Sequence, residues 1–197
     1  IISVDTKKND FFKKINNSYF LNEANKENLS FVLEISKKFK ILDSILKKTI
    51  KNFKGLKYRQ QIIYKSNKLT VINDSKSTSF ASSLGILKTN QNIYWLLGGV
   101  HKKSDKFNLP KKYVKNIKAF IYGKNKKFFK KQLKGKVSFE SFENLRDALK
   151  KVFRSIKKHN LINQTILFSP CAASFDNFKN FEDRGFYFNK LIKGYLD

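Results

Sequence analysis

Three short segments gather residue types that can hold and orient a small anionic molecule. The longest begins Ser169-Pro170-Cys171-Ala172-Ala173-Ser174-Phe175-Asp176 and runs through Phe178 and Phe181 to Arg184-Gly185. An apolar run from Thr165 to Phe168 leads into it with the bias of a buried strand, and apolar residues at helical spacing (Phe181, Phe188, Leu191, Ile192) lead out. The segment is therefore a strand-to-helix corner. In open α/β sheets such corners hold small polar ligands, because small residues admit backbone N–H groups and the helix start adds partial positive charge. Ser174 offers a hydroxyl there and Phe181 a backbone amide. The second segment, Asn73-Asp74-Ser75-Lys76-Ser77-Thr78-Ser79, puts a carboxylate, an ammonium and hydroxyls around another helix start, where a phosphate or a carboxylate is favoured. In the third, Gly98-Gly99-Val100-His101-Lys102, two glycines after a strand free the backbone to bend toward a ligand and Lys102 brings a charge to it. Taken singly, helix capping explains one or two of these residues, and a Gly-Gly turn is weak evidence.

The elements that must position these turns follow from periodicity. Ile1 to Phe20 offers only a short β-like start and a polar Lys-Asn-rich segment. From Asn22, Leu29, Val32, Leu33 and Ile35, then Leu42, Ile45, Leu46, Ile50 and Phe53, recur at helical spacing until Gly55, which predicts a helical hairpin. Strand-like runs at 61–64 and 69–72 flank a four-residue turn; a helix over 79–88 and a strand over 93–97 follow. Further β-like runs lie at 119–122, 137–139 and 165–168, with lysine-rich helices between them. The clearest helix runs from Phe142 to Lys158, with Leu145, Leu149, Val152, Phe153 and Ile156 on one face. Strands alternating with amphipathic helices predict an α/β fold, a Rossmann-like, mostly parallel sheet with helices on both faces.

Composition bounds the possibilities. The 197 residues carry a formal net charge of +27, which by itself suggests nucleic acid or an anionic membrane. Only four of the 42 cationic residues are arginine (Arg59, Arg146, Arg154, Arg184), whereas base and phosphate readers lean on the guanidinium fork. Lysine is spread along most of the chain, which fits general basic drift better than a specific nucleic-acid footprint. A single cysteine, Cys171, excludes an internal disulfide framework, fits a reducing compartment, and is read as packing rather than as a nucleophile. No apolar run approaches the length of a spanning helix, so a cytoplasmic location without membrane partners is expected. His101 has no second metal-ligand type nearby at suitable spacing, and no metal site is expected.

The long corner resembles the C-terminal signature of the Mur ligases, close to S-P-A-x-A-S-x-D-x-F-x-x-F-x-x-R-G, with Cys171 in place of a small residue. The turn at 73–79 is similar to the N-D-S-K-A-T-N of the branch that adds D-glutamate, with Ser77 for Ala and Ser79 for Asn. Gly98-Gly99 to Lys102 resembles its G-G-x-x-K, and Gly55-Leu56-Lys57-Tyr58-Arg59 its G-L-x-H-R linker with Tyr58 for His. Asn25 and Asn28 match H-N-x-x-N, with Ala24 for the His. The resemblance implies an ATP-dependent amide ligase that adds D-glutamate to UDP-N-acetylmuramoyl-L-alanine through an acyl phosphate in peptidoglycan precursor synthesis. It assigns catalysis to Lys76 and D-glutamate binding to Thr78, Lys102, Ser174 and Phe181. ATP falls to Asn25, Asn28, Arg59 and Asp74. No G-x-x-x-x-G-K-[ST] occurs in the chain. The resemblance therefore implies that the P-loop, the Mg2+ ligands and the UDP-sugar domain lie upstream. Residues 1–55 are then the helical tail of the central ATPase domain and 56–197 the C-terminal Rossmann-like ligase domain, in a monomer inactive as a piece. The alternatives are a basic nucleic-acid-binding α/β module and a sister Mur ligase for another amino acid.

Overall fold

The structure, a computed structural model, describes Val4 and residues 17–21, 23–159 and 161–196. Most of the β-like start and of the Lys-Asn-rich segment lies outside the described residues. The chain divides into two compact units, Ile1–Gly55 and Leu56–Asp197.

The first unit holds one turn of 3-10 helix (Ser18–Leu21), α1 (Glu23–Lys38) and α2 (Asp43–Asn52). The expected hairpin forms, but it buries a narrower stripe than its apolar pattern offers. Phe20, Leu29, Leu33 and Ile50 are buried together, whereas Val32, Ile35, Leu42 and Ile45 are about half exposed or more. Two helices share one contact line, so only the residues facing it leave water. Asn17 ties the unit together by donating through Nδ2 to the carbonyls of Ile50 (2.7 Å) and Phe53 (2.8 Å).

The second unit is a six-stranded sheet in the order β1-β2-β6-β3-β4-β5. Its strands are β1 (Gln61–Lys65), β2 (Leu69–Asn73), β3 (Ile93–Leu97), β4 (Ile117–Tyr122), β5 (Ser138–Phe142) and β6 (Gln164–Phe168). Only β1 runs antiparallel, as the outer arm of a hairpin with β2; every other pairing is parallel. The connecting helices are α3 (Phe80–Thr89), the single turn α4 (Lys111–Val114), α5 (Lys126–Leu133), α6 (Leu145–His159) and α7 (Phe181–Leu196).

Strict alternation along the strands feeds two cores. Trp95, Leu97, Ala119, Ile121 and Leu167 face α3 and α5, through Phe80, Leu87, Phe129 and Leu133. Tyr94, Leu96, Phe120, Ile166 and Phe168 face α6 and α7, through Leu149, Val152, Phe188 and Ile192. Both faces of β3 and β6 are buried, which is why these strands read as continuous apolar runs. Phe142, expected to open a helix, instead ends β5: it pairs with Tyr122 and its ring stacks on Phe120 at 6.1 Å, so α6 starts at Leu145. Among the described residues no helix is long and apolar enough to cross a membrane.

Candidate functional site

The strand order determines which turns meet. β2, β6 and β3 are adjacent and parallel, so the segments that leave their carboxyl ends (73–79, 169–180 and 98–105) emerge side by side on one edge of the sheet. The connection from β2 to β3 passes over β6, which makes this edge the point where the sheet's winding changes direction, the usual crevice of an open α/β sheet.

Backbone contacts then bind the turns to one another. Asp74 N–H donates to the Phe168 carbonyl (2.7 Å), Gly98 N–H to the Pro170 carbonyl (3.1 Å), and Val100 and Ala173 exchange N–H to carbonyl bonds of 2.9 Å each. Gly99 has φ +128, and a Cβ on it would sit 2.5 Å from the Ala173 carbonyl oxygen, so glycine is required where these two turns touch. Asp105, at the end of the Gly-Gly turn, accepts the Phe80 N–H at 2.8 Å and so fastens that turn to the start of α3.

Beneath the turns lies a chain of buried hydroxyls. Ser169 Oγ donates to Asp74 Oδ2 (2.8 Å), Ser83 Oγ lies 2.6 Å from Ser169 Oγ, and Ser77 Oγ lies 2.9 Å from Ser83 Oγ. The other oxygen of Asp74 accepts the Gln60 N–H at 3.1 Å. Burial pushes the Asp74 carboxyl up to about 7, against the two hydrogen bonds and the nearby Arg59 and Arg184 charges, which pull it down. Cys171 sits in the same chain, 2.9 Å from Ser83 Oγ; burial raises its thiol, which stays protonated and packs rather than reacts.

The last residues of the long signature close the turns from α7. Arg184, 1% exposed, donates through Nε to Ser75 Oγ (3.1 Å) and through Nη2 to the carbonyls of Ser75 (2.7 Å) and Ala172 (2.9 Å). A Cβ on Gly185 would meet the Tyr58 ring at 2.4 Å, so this glycine makes room for the ring that stands where the linker motif usually has His. Asn73 donates to the Gly185 carbonyl (2.9 Å) and to Asn189 Oδ1 (2.7 Å).

Against this framework the expected site residues fall into two kinds. Among the described residues the side chains of Thr78, Lys102 and Ser174 make no hydrogen bond inside the protein, and Lys76 carries its ammonium 4.1 Å above the Phe181 ring. Phe181 is the first residue of α7, so its N–H lies in the turn that has no intrahelical acceptor. Its carbonyl accepts from Ser75 Oγ at 2.8 Å. Thr78 and Lys76 are half-buried, Lys102 is exposed, and Ser174 is buried. Asp74, in contrast, has both oxygens engaged by the protein, and Arg59 is exposed beside it. Asn25 and Asn28 belong to the first unit, where Asn25 is buried and donates to the Tyr19 carbonyl (2.7 Å) while Asn28 is exposed. Among the described residues no three His, Cys, Asp or Glu side chains come together in a way that could hold a metal ion. Sequence reasoning passed over Ser169, Ser83, Asp105 and Arg184 as working parts. Of these, Ser169 and Arg184 were visible in the long motif.

No family model matches the chain. Proteins named UDP-N-acetylmuramoylalanine–D-glutamate ligase do. The one from Wolbachia of Brugia malayi is 33% identical over 174 residues, covering 88% of this chain and 35% of the relative. That of Rickettsia felis is 33% identical over 173 residues (88% and 38%), and that of Francisella philomiragia 34% over 174 (86% and 41%). The chain thus spans little more than a third of the length of the curated relatives it matches. Among solved structures it superposes on MurF from Acinetobacter baumannii with a TM-score of 0.61 at 15% identity, over 87% of this chain and 38% of that one. MurC from Thermotoga maritima gives 0.57 at 16%, over 88% and 38%. These two establish a shared fold. With the matching turns and the one-third-identical relatives, they make this chain a relative of the Mur ligases, aligned with the D-glutamate-adding enzymes over part of their length.

Proposed function

We propose that this chain is the part of a D-glutamate-adding Mur ligase that binds the amino acid, acting in peptidoglycan precursor synthesis. The observation that carries this reading is the division among the motif residues. Those such as Asn73, Asp74, Ser75, Ser169 and Arg184 are consumed in building the three turns, whereas Thr78, Lys102 and Ser174 stand on the turns without internal hydrogen-bond partners. Two ammonium groups, two hydroxyls and a helix-start amide suit a molecule with two carboxylates, and charge-assisted hydrogen bonds are the strong ones available to it.

In this reading Lys102 and Thr78 hold one carboxylate of D-glutamate, and Ser174 with the Phe181 N–H holds the other. The amine is left directed at the acyl carbon it must attack. Lys76, lodged over the Phe181 ring, supplies positive charge beside the reacting phosphate and is the catalytic residue. ATP supplies the γ-phosphate that turns the carboxylate of UDP-N-acetylmuramoyl-L-alanine into an acyl phosphate. On the nucleotide side Arg59 offers an exposed guanidinium, while Asp74 acts through the turn it organises; Asn25 and Asn28 are assigned to the nucleotide from the first unit, read as the tail of an ATPase domain. Residues 56–197 are read as the ligase domain. Among the described residues no acidic cluster could hold Mg2+, and the metal is assigned to other parts of the ligase. Chemistry of this type is mostly placement and charge stabilisation, which suits a site built from rigid turns.

The test is a titration of the 197-residue chain with D-glutamate followed by amide and side-chain NMR shifts, with L-glutamate as control. Saturable shifts confined to residues 76–78, 99–102 and 174–181, and markedly weaker ones with the L-enantiomer, are expected. Absence of saturation, or equal response to both enantiomers, would refute the reading.

A further inference from the structure

Arg184 is the most deeply buried charge in the second unit, and no carboxylate lies within ion-pair distance of it among the described residues. A buried cation with no anionic partner costs several kcal/mol unless its N–H groups are satisfied in other ways. Here its fork is turned on the turns themselves: Nε donates to the Ser75 hydroxyl and Nη2 to the Ser75 carbonyl in the turn at 73–79, and Nη2 also to the Ala172 carbonyl in the turn that begins at Ser169. Nη1 has no hydrogen-bond partner, and it would lie 3.1 Å from a Cβ on Gly99, in the Gly-Gly turn. One side chain therefore bonds two of the turns and occupies the space beside Gly99 in the other. Those contacts fall next to the residues whose side chains face the ligand: Ser75 precedes Lys76, Gly99 is three residues before Lys102, and Ala172 is two before Ser174.

We propose that Arg184 is a positioning residue: it holds the three turns at a fixed spacing, so that Lys76, Lys102 and Ser174 address one ligand. The guanidinium suits this task because it is rigid, planar and always charged, so it can bond two carbonyls and a hydroxyl at once. A lysine in its place reaches one acceptor at a time. The titratable groups that surround it are Tyr122, Asp176, Cys171 and Asp74, and burial lowers the affinity of the guanidinium for its proton without discharging it. The Arg-Gly pair of the signature is thus two structural devices in sequence, a clamp on the turns and a gap for Tyr58.

The proposal rests on the D-glutamate reading for its ligand but not for its mechanical content, and the experiment separates the two. Arg184→Met and Arg184→Lys are made in the 197-residue chain. Amide hydrogen exchange is followed at Val100 and Ala173, which join the Gly-Gly turn to the one that begins at Ser169, and at Ile166 and Leu96, which report the strands. Loss of two or more charge-assisted bonds is expected to speed exchange at Val100 and Ala173 by about tenfold or more relative to the strands in the Met variant, with partial rescue by Lys. D-glutamate affinity is expected to fall by about tenfold in the same folded variant. If Arg184→Met does not fold, Ser75→Ala, which removes the acceptor of Nε together with the Ser75 Oγ bond to the Phe181 carbonyl and leaves both Nη2 bonds, is expected to give the same relative effect at smaller size. Turns and strands loosened alike would overturn the proposal, as would turns left unchanged. Should the parent chain ignore D-glutamate while the turns still loosen selectively, the clamp stands and the ligand assignment fails.

Discussion

Replacing Asp74 by Asn should flatten the dependence of stability on pH. The carboxyl is held up to about 7 in the folded chain by burial, against its ordinary value of 3.8. The folded state therefore keeps a proton that the unfolded state releases, so this group's contribution to stability is fully present below pH 3.8 and is lost as pH rises through about 7. Integrating those two values between pH 5 and pH 8 gives a loss of roughly 2.6 kcal/mol from this residue. At about 2–4 °C per kcal/mol for a chain of this size, that is a fall of about 5–10 °C in melting temperature. Asn reproduces the protonated carboxyl: its Oδ1 can accept from Gln60 as before, and its Nδ2 can donate to Ser169, whose hydroxyl can turn toward Ser83. Arg59 and Arg184, the cations that favour the charged form, remain in both proteins, and the raised Asp176 contributes the same slope to both. Subtracting one thermal profile from the other thus isolates Asp74. Urea or thermal unfolding at half-unit steps from pH 5 to 8 measures it. Parallel profiles, or an Asn variant that loses stability more steeply with rising pH than its parent, would refute the assignment of a retained proton to this buried carboxyl.

Two further substitutions probe the turns. Gly99→Ala places a methyl group 2.5 Å from the Ala173 carbonyl oxygen at φ +128, and should destabilise by about 2 kcal/mol or more. In that variant the Val100–Ala173 bridge should be lost from the amide exchange pattern; retention of the bridge at parental stability would show the turns to be looser than drawn. Trp95→Phe removes the Nε1 bond to the Ser169 carbonyl (2.8 Å) from a fully buried site and should cost about 2–4 kcal/mol in urea unfolding, with no change in the slope against denaturant.

The strands, their alternation with helices and the hairpin of β1 with β2 were legible because two-sided burial leaves continuous apolar runs and because turn residues punctuate them. The end of β5 was not. Ser141 and Phe142 sit where a helical apolar pattern begins, and only the partner strand, through Phe120 and Tyr122, decides that they stay extended. The first unit misled in the other direction: its sequence offers Val32, Ile35, Leu42 and Ile45 to a core, yet two helices bury only one stripe. For the site, the residues proposed to face the ligand stand in motifs. Ser83 and Asp105 were not legible, since a serine inside a helix or an aspartate in a loop carries no local mark of the partner that tertiary structure brings to it, and Ser169, though it opens the signature, shows there no sign of its bond to Asp74.

If the proposed D-glutamate reading holds, the arrangement also explains why a signature so long can serve a ligand so small. A five-carbon amino acid touches few atoms, and a handful of side chains would be enough to bind it if their spacing were given. Nothing in a single turn gives that spacing. In this fold it comes from three strand ends held in register by the sheet, then from cross-links between the turns: the Val100–Ala173 bridge, Asp105 on α3, the Asp74–Ser169–Ser83 hydroxyls and the Arg184 fork. Each cross-link fixes the identity of a residue that never needs to touch the ligand. It follows that substitutions in the motif should divide by mechanism. Removing Lys102 or Ser174 should weaken binding in a protein of ordinary stability. Removing Ser169 or Arg184 should change turn order and stability first, with binding following from them.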